Sequence, residues 1–214
     1  MARSVIFDCD GVLVDTEPVG NAVLARLLTE HGLPTTVEEC MRDYRGRSMA
    51  SCIALAQERL GTALPPDFAD RYYAAIGAAF ERELQPMPGV VDALDRIALP
   101  SCVASSGPHH KMRLTLGRTG LWPRFEGRIF SASEVQHGKP APDLFLHAAR
   151  SMGFDPAHTV VVEDSVPGVQ AGRAAGMRVL AFAHDTDAGA LAAAGGEPFA
   201  DMAELPGLLG EEAR

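Results

Sequence analysis

The sequence is short of positive charge, and this shortage limits the partners that the chain can have. It holds 19 lysine and arginine residues against 28 aspartate and glutamate residues, for a net charge of -9. Nucleic acids and anionic membrane surfaces attract basic patches, so this balance argues against both as partners. A small phosphorylated molecule is not excluded, because a few local cations and a metal can overcome the overall field.

Cysteine is scarce, and its spacing argues against the common metal and redox motifs. The four cysteines are Cys9, Cys40, Cys52 and Cys102, and no two of them form a C-x-x-C pair of the kind found in zinc or thioredoxin-like sites. We expect buried, reduced thiols in a cytoplasmic protein. The apolar run that begins at Val5 is too short for a signal peptide or a membrane span.

What the chain does have is an alternation of short apolar runs with helical patterns. Its 214 residues, 47% of them apolar, suffice for one large domain or for a core with a small insert. Strands that alternate with helices predict an α/β fold with a parallel sheet covered by helices on both faces. The predicted strands are Val5–Phe7, Cys102–Ala104, Arg128–Phe130, Thr159–Val162 and Val179–Phe182, and the predicted helices are Val90–Ile97, His110–Arg118, Asp143–Met152 and Val169–Ala175.

Residues 16–84 differ from the rest, because they carry helical patterns and no convincing strand. Thr36 and Glu39 have the spacing of a capping box at the start of one of these helices. An all-helical stretch after the first strand of an α/β chain indicates an inserted cap domain. We therefore expect a catalytic core of residues 1–15 and 85–214 and a helical cap of residues 16–84.

Acidic side chains follow two of the predicted strands directly. Asp8 and Asp10 come after the first strand, and ligands of open α/β sheets bind beyond the carboxyl ends of the strands. Asp8 can attack phosphorus as a nucleophile, and Asp10 can protonate the leaving alcohol. Glu163 and Asp164 come after Thr159–Val162 and fit a magnesium site, because Mg²⁺ prefers hard oxygen ligands. Four acids at two strand ends would repel each other unless a cation lies among them.

Each of these acidic pairs also has a plain structural explanation. The Asp8–Gly11 segment fits a tight turn stabilised by aspartate side chains. Asp164 or Ser165 fits the N-cap of the next helix, with Pro167 in its first turn.

A lysine and two serines supply the other groups that a phosphoryl site needs. Lys139 lies between prolines in a loop and can offset charge on a phosphoryl group, although a solvated surface lysine is the simpler interpretation. Ser105 and Ser106 follow the strand Cys102–Ala104, where hydroxyls and backbone amides can cradle phosphate. The simpler interpretation here is an ordinary serine N-cap.

Taken together, these motifs resemble the haloacid dehalogenase superfamily over essentially the whole chain. The resemblance rests on D-x-D-G-V from Asp8, the serine after an apolar strand, Lys139 in G-K-P-x-P-D, and E-D-S from Glu163. It implies a Rossmann-like core, a mobile cap inserted after the first motif, and Mg²⁺ as cofactor. It also implies the site residues: Asp8 as nucleophile and metal ligand, Asp10 as acid/base and metal ligand through its carbonyl, Asp164 as direct ligand, Glu163 in support of the metal shell, and Ser105 and Lys139 as phosphoryl ligands.

Within that superfamily, the chain is similar to the subfamily of β-phosphoglucomutases and sugar-phosphate phosphatases. The stretch from Cys102 to Met112 is similar to phosphatases that act on 6-phosphogluconate and related sugar phosphates. The mutases carry a histidine at the position of Gly20 and an arginine at that of Met49, and both are missing here. Since a mutase must bind a second phosphate and hold off water, this departure favours hydrolysis.

The sequence therefore predicts a Mg²⁺-dependent phosphatase for a small phosphorylated metabolite, a monomer or small homo-oligomer without nucleic acid or membrane as partner. A phosphosugar mutase is the alternative. A phospho-accepting signal receiver is disfavoured by the cap, and a binding protein without activity by the intact Asp8 and Asp10. In the cap, Arg45 and Arg47 are the residues expected to contact substrate.

Overall fold

The computed structural model describes residues 2–44 and 49–210, and the chain divides into two compact units. One unit consists of Met1–Asp15 together with Gln85–Arg214, and the other is Thr16–Leu84. Within the described residues, no helix is both long and apolar enough to cross a membrane. The four cysteines are all buried and free, as predicted.

The first unit is built on a six-stranded parallel sheet and also contains a separate two-stranded sheet. The sheet order is β5-β4-β1-β6-β7-β8, so the chain adds strands on one side of β1 and then on the other. The two-stranded sheet pairs β2 with β3 in antiparallel fashion. The strands are β1 (Ser4–Phe7), β2 (Val14–Asp15), β3 (Gln85–Pro86), β4 (Ser101–Ser105), β5 (Ile129–Ser131), β6 (Thr159–Glu163), β7 (Arg178–Phe182) and β8 (Glu197–Phe199).

Helices cover both faces of this sheet, and four others make up the second unit. On one face, side chains of β1, β4, β6 and β7 pack in one buried cluster with side chains of three helices. These helices are Asp143–Met152, Val166–Ala174 and Ala188–Ala193, numbered α8, α9 and α10. On the other face, Phe7 of β1 makes an edge contact with Phe125 of α7. The helices are α1 (Glu17–Glu30), α2 (Val37–Asp43), α3 (Met49–Leu60), α4 (Phe68–Glu83), α5 (Val90–Arg96), α6 (His109–Arg118), α7 (Trp122–Phe125), α8 (Asp143–Met152), α9 (Val166–Ala174), α10 (Ala188–Ala193) and α11 (Leu205–Leu209).

The strand register brings distant parts of the chain to one level at the carboxyl edge of the sheet. Phe7 pairs with Val103 of β4 on one side and with Val162 of β6 on the other. The next residue on each strand is therefore also level, which aligns Asp8 with Glu163. Since strand order reverses at β1, this edge is the place where an open α/β sheet binds its ligands.

The predicted α/β fold with helices on both faces is confirmed, and most element bounds agree within one or two residues. The expected capping box of α2 is present, because Thr36 accepts from the Glu39 amide while the Glu39 carboxylate accepts from the Thr36 amide. The helical unit Thr16–Leu84 is made of α1 to α4. Its role as a cap stays a prediction.

Candidate active site

The loop after β1 places Asp8 in the middle of the sheet edge, with its side chain only 9% exposed. The Asp8 amide donates to the Val162 carbonyl at 2.9 Å, which extends the ladder between β1 and β6 by one residue. The backbone beneath the carboxylate is therefore fixed by the sheet itself. A nucleophile at this position needs little reorganisation before it attacks.

Lys139 joins the ends of three strands and is not a solvated surface lysine. Its ammonium lies 2.5 Å from Asp8 Oδ1 and 2.6 Å from Glu163 Oε1, and it donates to the Ala104 carbonyl at 3.3 Å. The lysine side chain is 5% exposed and that of Glu163 is 1% exposed. One buried cation thus ties β1, β4 and β6 together at their carboxyl ends.

Glu163 is held by protein donors at both of its oxygens. While Oε1 accepts from Lys139, Oε2 accepts from the amides of Asp164 and Ser165 at 2.8 Å and from the Ser165 hydroxyl at 2.9 Å. A Cβ at Gly168 would lie 1.8 Å from Oε1, so only glycine leaves room for this carboxylate beside α9. Glu163 therefore anchors the lysine and the turn that carries Asp164, in line with the supporting role that the resemblance implies.

Asp164 lies directly against the turn that follows Asp8. Gly11 has a φ of +78°, and a Cβ at this position would lie 2.1 Å from Asp164 Oδ2. A side chain at Gly11 would therefore be strained by the backbone and would also collide with the carboxylate. The N-cap of α9 is Ser165, whose side chain accepts from the Gly168 amide, so Asp164 does not serve as the cap.

Asp10 contacts a second lysine that the sequence analysis left without a role. Lys111 donates to Asp10 Oδ2 at 2.7 Å. The other oxygen, Oδ1, is buried and has no hydrogen-bond partner among the residues that the structure describes. Buried polar oxygens are normally hydrogen-bonded, so this one is a candidate for contact with a bound ion or water.

The loop after β4 is organised by serine hydroxyls. Ser105 is buried, and its Oγ accepts from the Gly107 amide at 3.1 Å, while Ser106 is exposed. From β5, the buried Ser131 donates to the Gly107 carbonyl at 2.8 Å. Ser105 is not the N-cap of α6, because that position belongs to Pro108. The predicted phosphate-binding residues Ser105 and Ser106 therefore lie at the end of β4 and at the start of a loop that Ser105 and Ser131 hold in place through Gly107.

The electrostatics of the site follow from burying several carboxylates together. The pKa of Asp8 is raised to about 7, because the effect of burial, which is the largest, and the charge on Glu163 together outweigh the opposing charge on Lys139. Burial also raises the pKa of Asp164 well above its ordinary value, and the charges on Glu163 and Asp8 add to this effect. Although burial lowers the pKa of the Lys139 ammonium, Asp8 and Glu163 raise it by more, so the lysine stays charged.

Comparison with known proteins agrees with this geometry. The family model described as haloacid dehalogenase-like hydrolase matches residues 2–176, which include Asp8, Asp10, Ser105, Lys139 and Asp164. The chain belongs to the haloacid dehalogenase-like hydrolases.

Relatives of this hydrolase include proteins with and without an assigned activity. It is 33% identical to the 6-phosphogluconate phosphatase of Escherichia coli over 184 residues, or 86% of this chain and 83% of the relative. A haloacid dehalogenase-like protein of unknown function from Agrobacterium tumefaciens is 36% identical and superposes with a TM-score of 0.88 over 98% of both chains. A haloacid dehalogenase family hydrolase from Deinococcus radiodurans with bound phosphate and sodium is 30% identical, with a TM-score of 0.87 over 98% of this chain and 96% of the other. The family and the phosphatase relative identify the chain as an enzyme of the phosphatase class.

Members of this family generally use Mg²⁺, and the donor set of this hydrolase fits that ion. Asp8, Asp10, Glu163 and Asp164 bring four carboxylates to a region with two ammonium groups, so two negative charges are left over when all of them ionise. Within residues 2–44 and 49–210, no three His, Cys, Asp or Glu side chains are grouped so as to hold a metal by themselves. Mg²⁺ does not need such a group, because it takes one or two carboxylates and keeps several waters.

Two predicted residues lie outside the part of the chain that the structure describes, and two residues near the site were not predicted. Arg45 and Arg47 lie outside the described residues, so their contact with substrate stays a prediction. Lys111 and Ser131 were missed by sequence reasoning. A signal for Lys111 was available, since a lysine in the first turn of a helix faces the positive end of the helix dipole and needs a reason to be there. For Ser131, no sequence pattern indicated the contact with Gly107.

Proposed function

We propose that this hydrolase is a Mg²⁺-dependent phosphatase that releases phosphate from a small phosphorylated metabolite through an aspartyl-phosphate on Asp8. The observation that carries the proposal is the buried contact of Lys139 with both Asp8 and Glu163 at the carboxyl edge of the sheet. An ammonium that is already desolvated and fixed can stabilise charge on a transferring phosphoryl group without reorganising.

In the first step, the Asp8 carboxylate attacks phosphorus and the bond from phosphorus to the ester oxygen breaks. The departing oxygen takes a proton from Asp10 and leaves as an alcohol. The hydroxyl of Ser105 and the loop it organises lie beside this path and bind the phosphoryl oxygens. Positioning and charge stabilisation supply most of the rate in phosphoryl transfer, and the rigid strand ends favour both.

In the second step, water attacks the phosphorus of the aspartyl-phosphate. Asp10, now ionised, accepts the proton of that water, and the bond between phosphorus and the Asp8 oxygen breaks. Phosphate leaves, Asp8 is an ionised carboxylate again, and Asp10 is protonated for the next turnover. The same carboxyl therefore acts as acid in the first step and as base in the second.

When Mg²⁺ is bound, it supplies positive charge that offsets the phosphoryl oxygens and the carboxylates around them. Asp8 and Asp164 would hold it with side-chain oxygens and Asp10 with its carbonyl. Glu163 would act indirectly, through the turn that it anchors.

A sugar phosphate is the substrate class that the relatives favour, since one of them is named for 6-phosphogluconate. We propose that the helical unit of residues 16–84 is a cap that selects the organic part of the substrate. Arg45 and Arg47 are its proposed substrate contacts. The buried, free cysteines fit a cytoplasmic enzyme.

A phosphosugar mutase is disfavoured by Gly20, because the mutases carry a histidine at this position. A Cβ at Gly20 would lie 3.1 Å from the Tyr72 hydroxyl, which is tighter than ordinary contact. The Tyr72 hydroxyl, at the end of a flexible side chain, would have to give way by a few tenths of an ångström to admit the Cβ of a histidine here. A mutase would isomerise a sugar 1-phosphate with stimulation by a bisphosphate and would release little phosphate.

The test is phosphate release from a panel of esters, with Mg²⁺ or with EDTA. The panel holds 6-phosphogluconate, hexose 1- and 6-phosphates, glycerol phosphate and nucleotides. Asp8→Ala removes the nucleophile, and Glu126→Ala is the matched control, because Glu126 is an exposed acid at the opposite edge of the sheet. We expect release that requires Mg²⁺, that Glu126→Ala retains and that Asp8→Ala abolishes.

Two results would contradict the proposal. Release that survives in Asp8→Ala would show that the nucleophile is another group. Bisphosphate-stimulated isomerisation of a hexose 1-phosphate without net release would replace the phosphatase with the mutase.

A further inference from the structure

The two lysines of the chain form ion pairs with the two carboxylates of the Asp8-Cys9-Asp10 motif. The sequence contains only Lys111 and Lys139, and its other basic residues besides histidine are arginines. Lys139 contacts Asp8, and Lys111 contacts Asp10. Lysine is a compact point charge on a flexible stem, whereas arginine is a planar fork, so a lone carboxylate oxygen in a narrow site suits lysine.

The position of Lys111 is unfavourable for its helix, which indicates that the residue serves the site. It lies in the first turn of α6, where no acidic residue offsets its charge. A cation is destabilising at this end of a helix, because the first amides already present positive charge. Within the described residues, its one recorded hydrogen bond goes to Asp10 Oδ2 at 2.7 Å.

The ion pair of Lys111 and Asp10 lies against the loop that is proposed to bind phosphate. A Cβ at Gly107 would be 3.5 Å from Lys111 Cδ, 3.5 Å from Ser105 Oγ and 3.9 Å from Asp10 Oδ2. The pair is about one-third exposed, with 34% for Lys111 and 29% for Asp10, so it borders a solvent-accessible space. A phosphate ester held by this loop would have its leaving oxygen near Asp10.

The two oxygens of Asp10 are therefore in different situations. Oδ2 is held by the lysine, and Oδ1 is buried without a partner among the described residues. A carboxyl with one oxygen fixed is held in a single orientation. Correct orientation of a catalytic group is worth a large part of its effect on the rate.

We propose that Lys111 is a positioning residue for Asp10, and that its hydrogen bond to Oδ2 fixes the carboxyl in the orientation from which the Asp10 proton reaches the leaving oxygen of the ester. This inference rests on the proposed function, since it assigns a task within the first step. The proton moves from Asp10 to the departing oxygen as the bond from phosphorus to that oxygen breaks. Lys111 itself neither gains nor loses a proton.

The inference predicts that the importance of Lys111 depends on the leaving group. A sugar alcohol is a poor leaving group and needs the proton from Asp10, whereas p-nitrophenolate leaves readily without one. General acid catalysis contributes about 10²- to 10⁴-fold. Lys111→Met should lower kcat/KM for an alkyl phosphate by about 10- to 100-fold, because misplacing the acid forfeits part of that contribution. It should lower kcat/KM for p-nitrophenyl phosphate by less than about 3-fold, because that step gains little from the acid.

The experiment compares kcat/KM for three probes in wild type, Lys111→Met, Lys111→Gln and Lys111→Arg. The probes are 6-phosphogluconate, sorbitol 6-phosphate and p-nitrophenyl phosphate. The first two share a primary alcohol as leaving group and differ in a carboxylate, and whichever is hydrolysed serves as the alkyl ester. Arg150→Met is the control, because Arg150 is exposed in the last turn of α8. We expect both neutral variants to lose activity on the alkyl ester selectively, and Lys111→Arg, which keeps the charge but not the shape of lysine, to recover part of it.

Three results would overturn the inference. An equal loss on alkyl and aryl esters would mean that Lys111 supports the fold or the phosphoryl group. A loss confined to KM for 6-phosphogluconate would mean that it binds the substrate carboxylate, and no loss at all would leave it without a role. If wild type releases no phosphate from any probe, the proposed function fails and this inference falls with it, a result that the wild-type arm alone identifies.

Discussion

Replacing Lys139 by methionine tests how much of the fold depends on a single buried cation. The methionine side chain has nearly the length of lysine and can keep the contact with Phe145, whose ring centroid lies 4.9 Å from the ammonium. What the variant removes is the charge between Asp8 and Glu163. Both carboxylates are almost fully buried, so water cannot replace the lost partner.

The expected loss of stability is large. Removing one partner of a buried ion pair costs about 3–5 kcal/mol, because a desolvated charge is left without compensation. Here one lysine pairs with two carboxylates, so we expect the upper part of that range at a pH where both are ionised. Protonation of the carboxyls is the way in which the variant can reduce this cost.

The loss should therefore grow with pH. In the wild type the pKa of Asp8 is raised to about 7, mainly by burial, so the stability contributed by its protonated form is complete below about pH 4 and is lost as the pH rises through 7. Without Lys139, which lowers this pKa, the pKa of Asp8 rises further. Each carboxyl that stays protonated only in the folded variant makes the free energy of unfolding fall by about 1.4 kcal/mol per pH unit. In the wild type the contribution of Asp8 stops falling above about pH 7, whereas in the variant it continues to fall.

The assay is urea unfolding at pH 5 and pH 8, in EDTA so that no divalent ion replaces the missing charge. Arg150→Met controls for the loss of an exposed cation, and it should change stability by less than about 0.5 kcal/mol at either pH. We expect Lys139→Met to be destabilised at both values and by about 1–3 kcal/mol more at pH 8. An equal loss at the two values, or a larger one at pH 5, would refute the account of the buried carboxylates.

Three further predictions concern the surroundings of the site. Gly168→Ala should destabilise the fold by about 1–3 kcal/mol or more, because the new Cβ would displace the Glu163 carboxylate from its hydrogen-bond donors. Gly117→Ala, with open space around the new Cβ, should be neutral or stabilising by up to about 1 kcal/mol in the same urea assay, and equal effects would contradict the prediction. Mg²⁺ should raise the melting temperature, and more at pH 8 than at pH 6, since protons compete for the carboxylates; scanning fluorimetry that finds no shift at either pH would count against a metal at this site. Gly11→Ala should weaken that Mg²⁺-dependent shift severalfold, because its Cβ would push Asp164 away, and an unchanged magnesium titration would show that Asp164 is not a ligand.

The sequence predicted the parallel core well because its strands are buried on both faces and read as continuous apolar runs. β4, β6 and β7 were found in this way, and their ends differ from the prediction by one residue or less. The edge strand β8 was missed, since Glu197–Phe199 has three residues and a proline and is only partly buried. The two-stranded sheet of β2 and β3 was missed as well, because two-residue strands carry no periodicity.

The site was predictable where a residue lies at a strand end, and less so where a contact depends on side-chain geometry. Asp8 and Glu163 are level because of the strand register, and a sequence can indicate that. The contacts of Lys139 with three strand ends could not be predicted from the sequence, because its loop has no regular period that would place the side chain. The pairing of Lys111 with Asp10 joins residues 101 positions apart, and no local pattern records it.

The central claim is that Asp8 carries the phosphoryl group during turnover, and trapping that intermediate tests it most directly. Wild type and Asp8→Ala would be mixed with a hydrolysed ester and Mg²⁺, quenched in acid within milliseconds, digested and analysed by mass spectrometry. The account predicts a phosphoryl group on Asp8 that appears before free phosphate and decays as phosphate accumulates, and no modified peptide in the variant. Full phosphate release by the wild type with Asp8 unmodified at every time point, together with activity in Asp8→Ala, would contradict it.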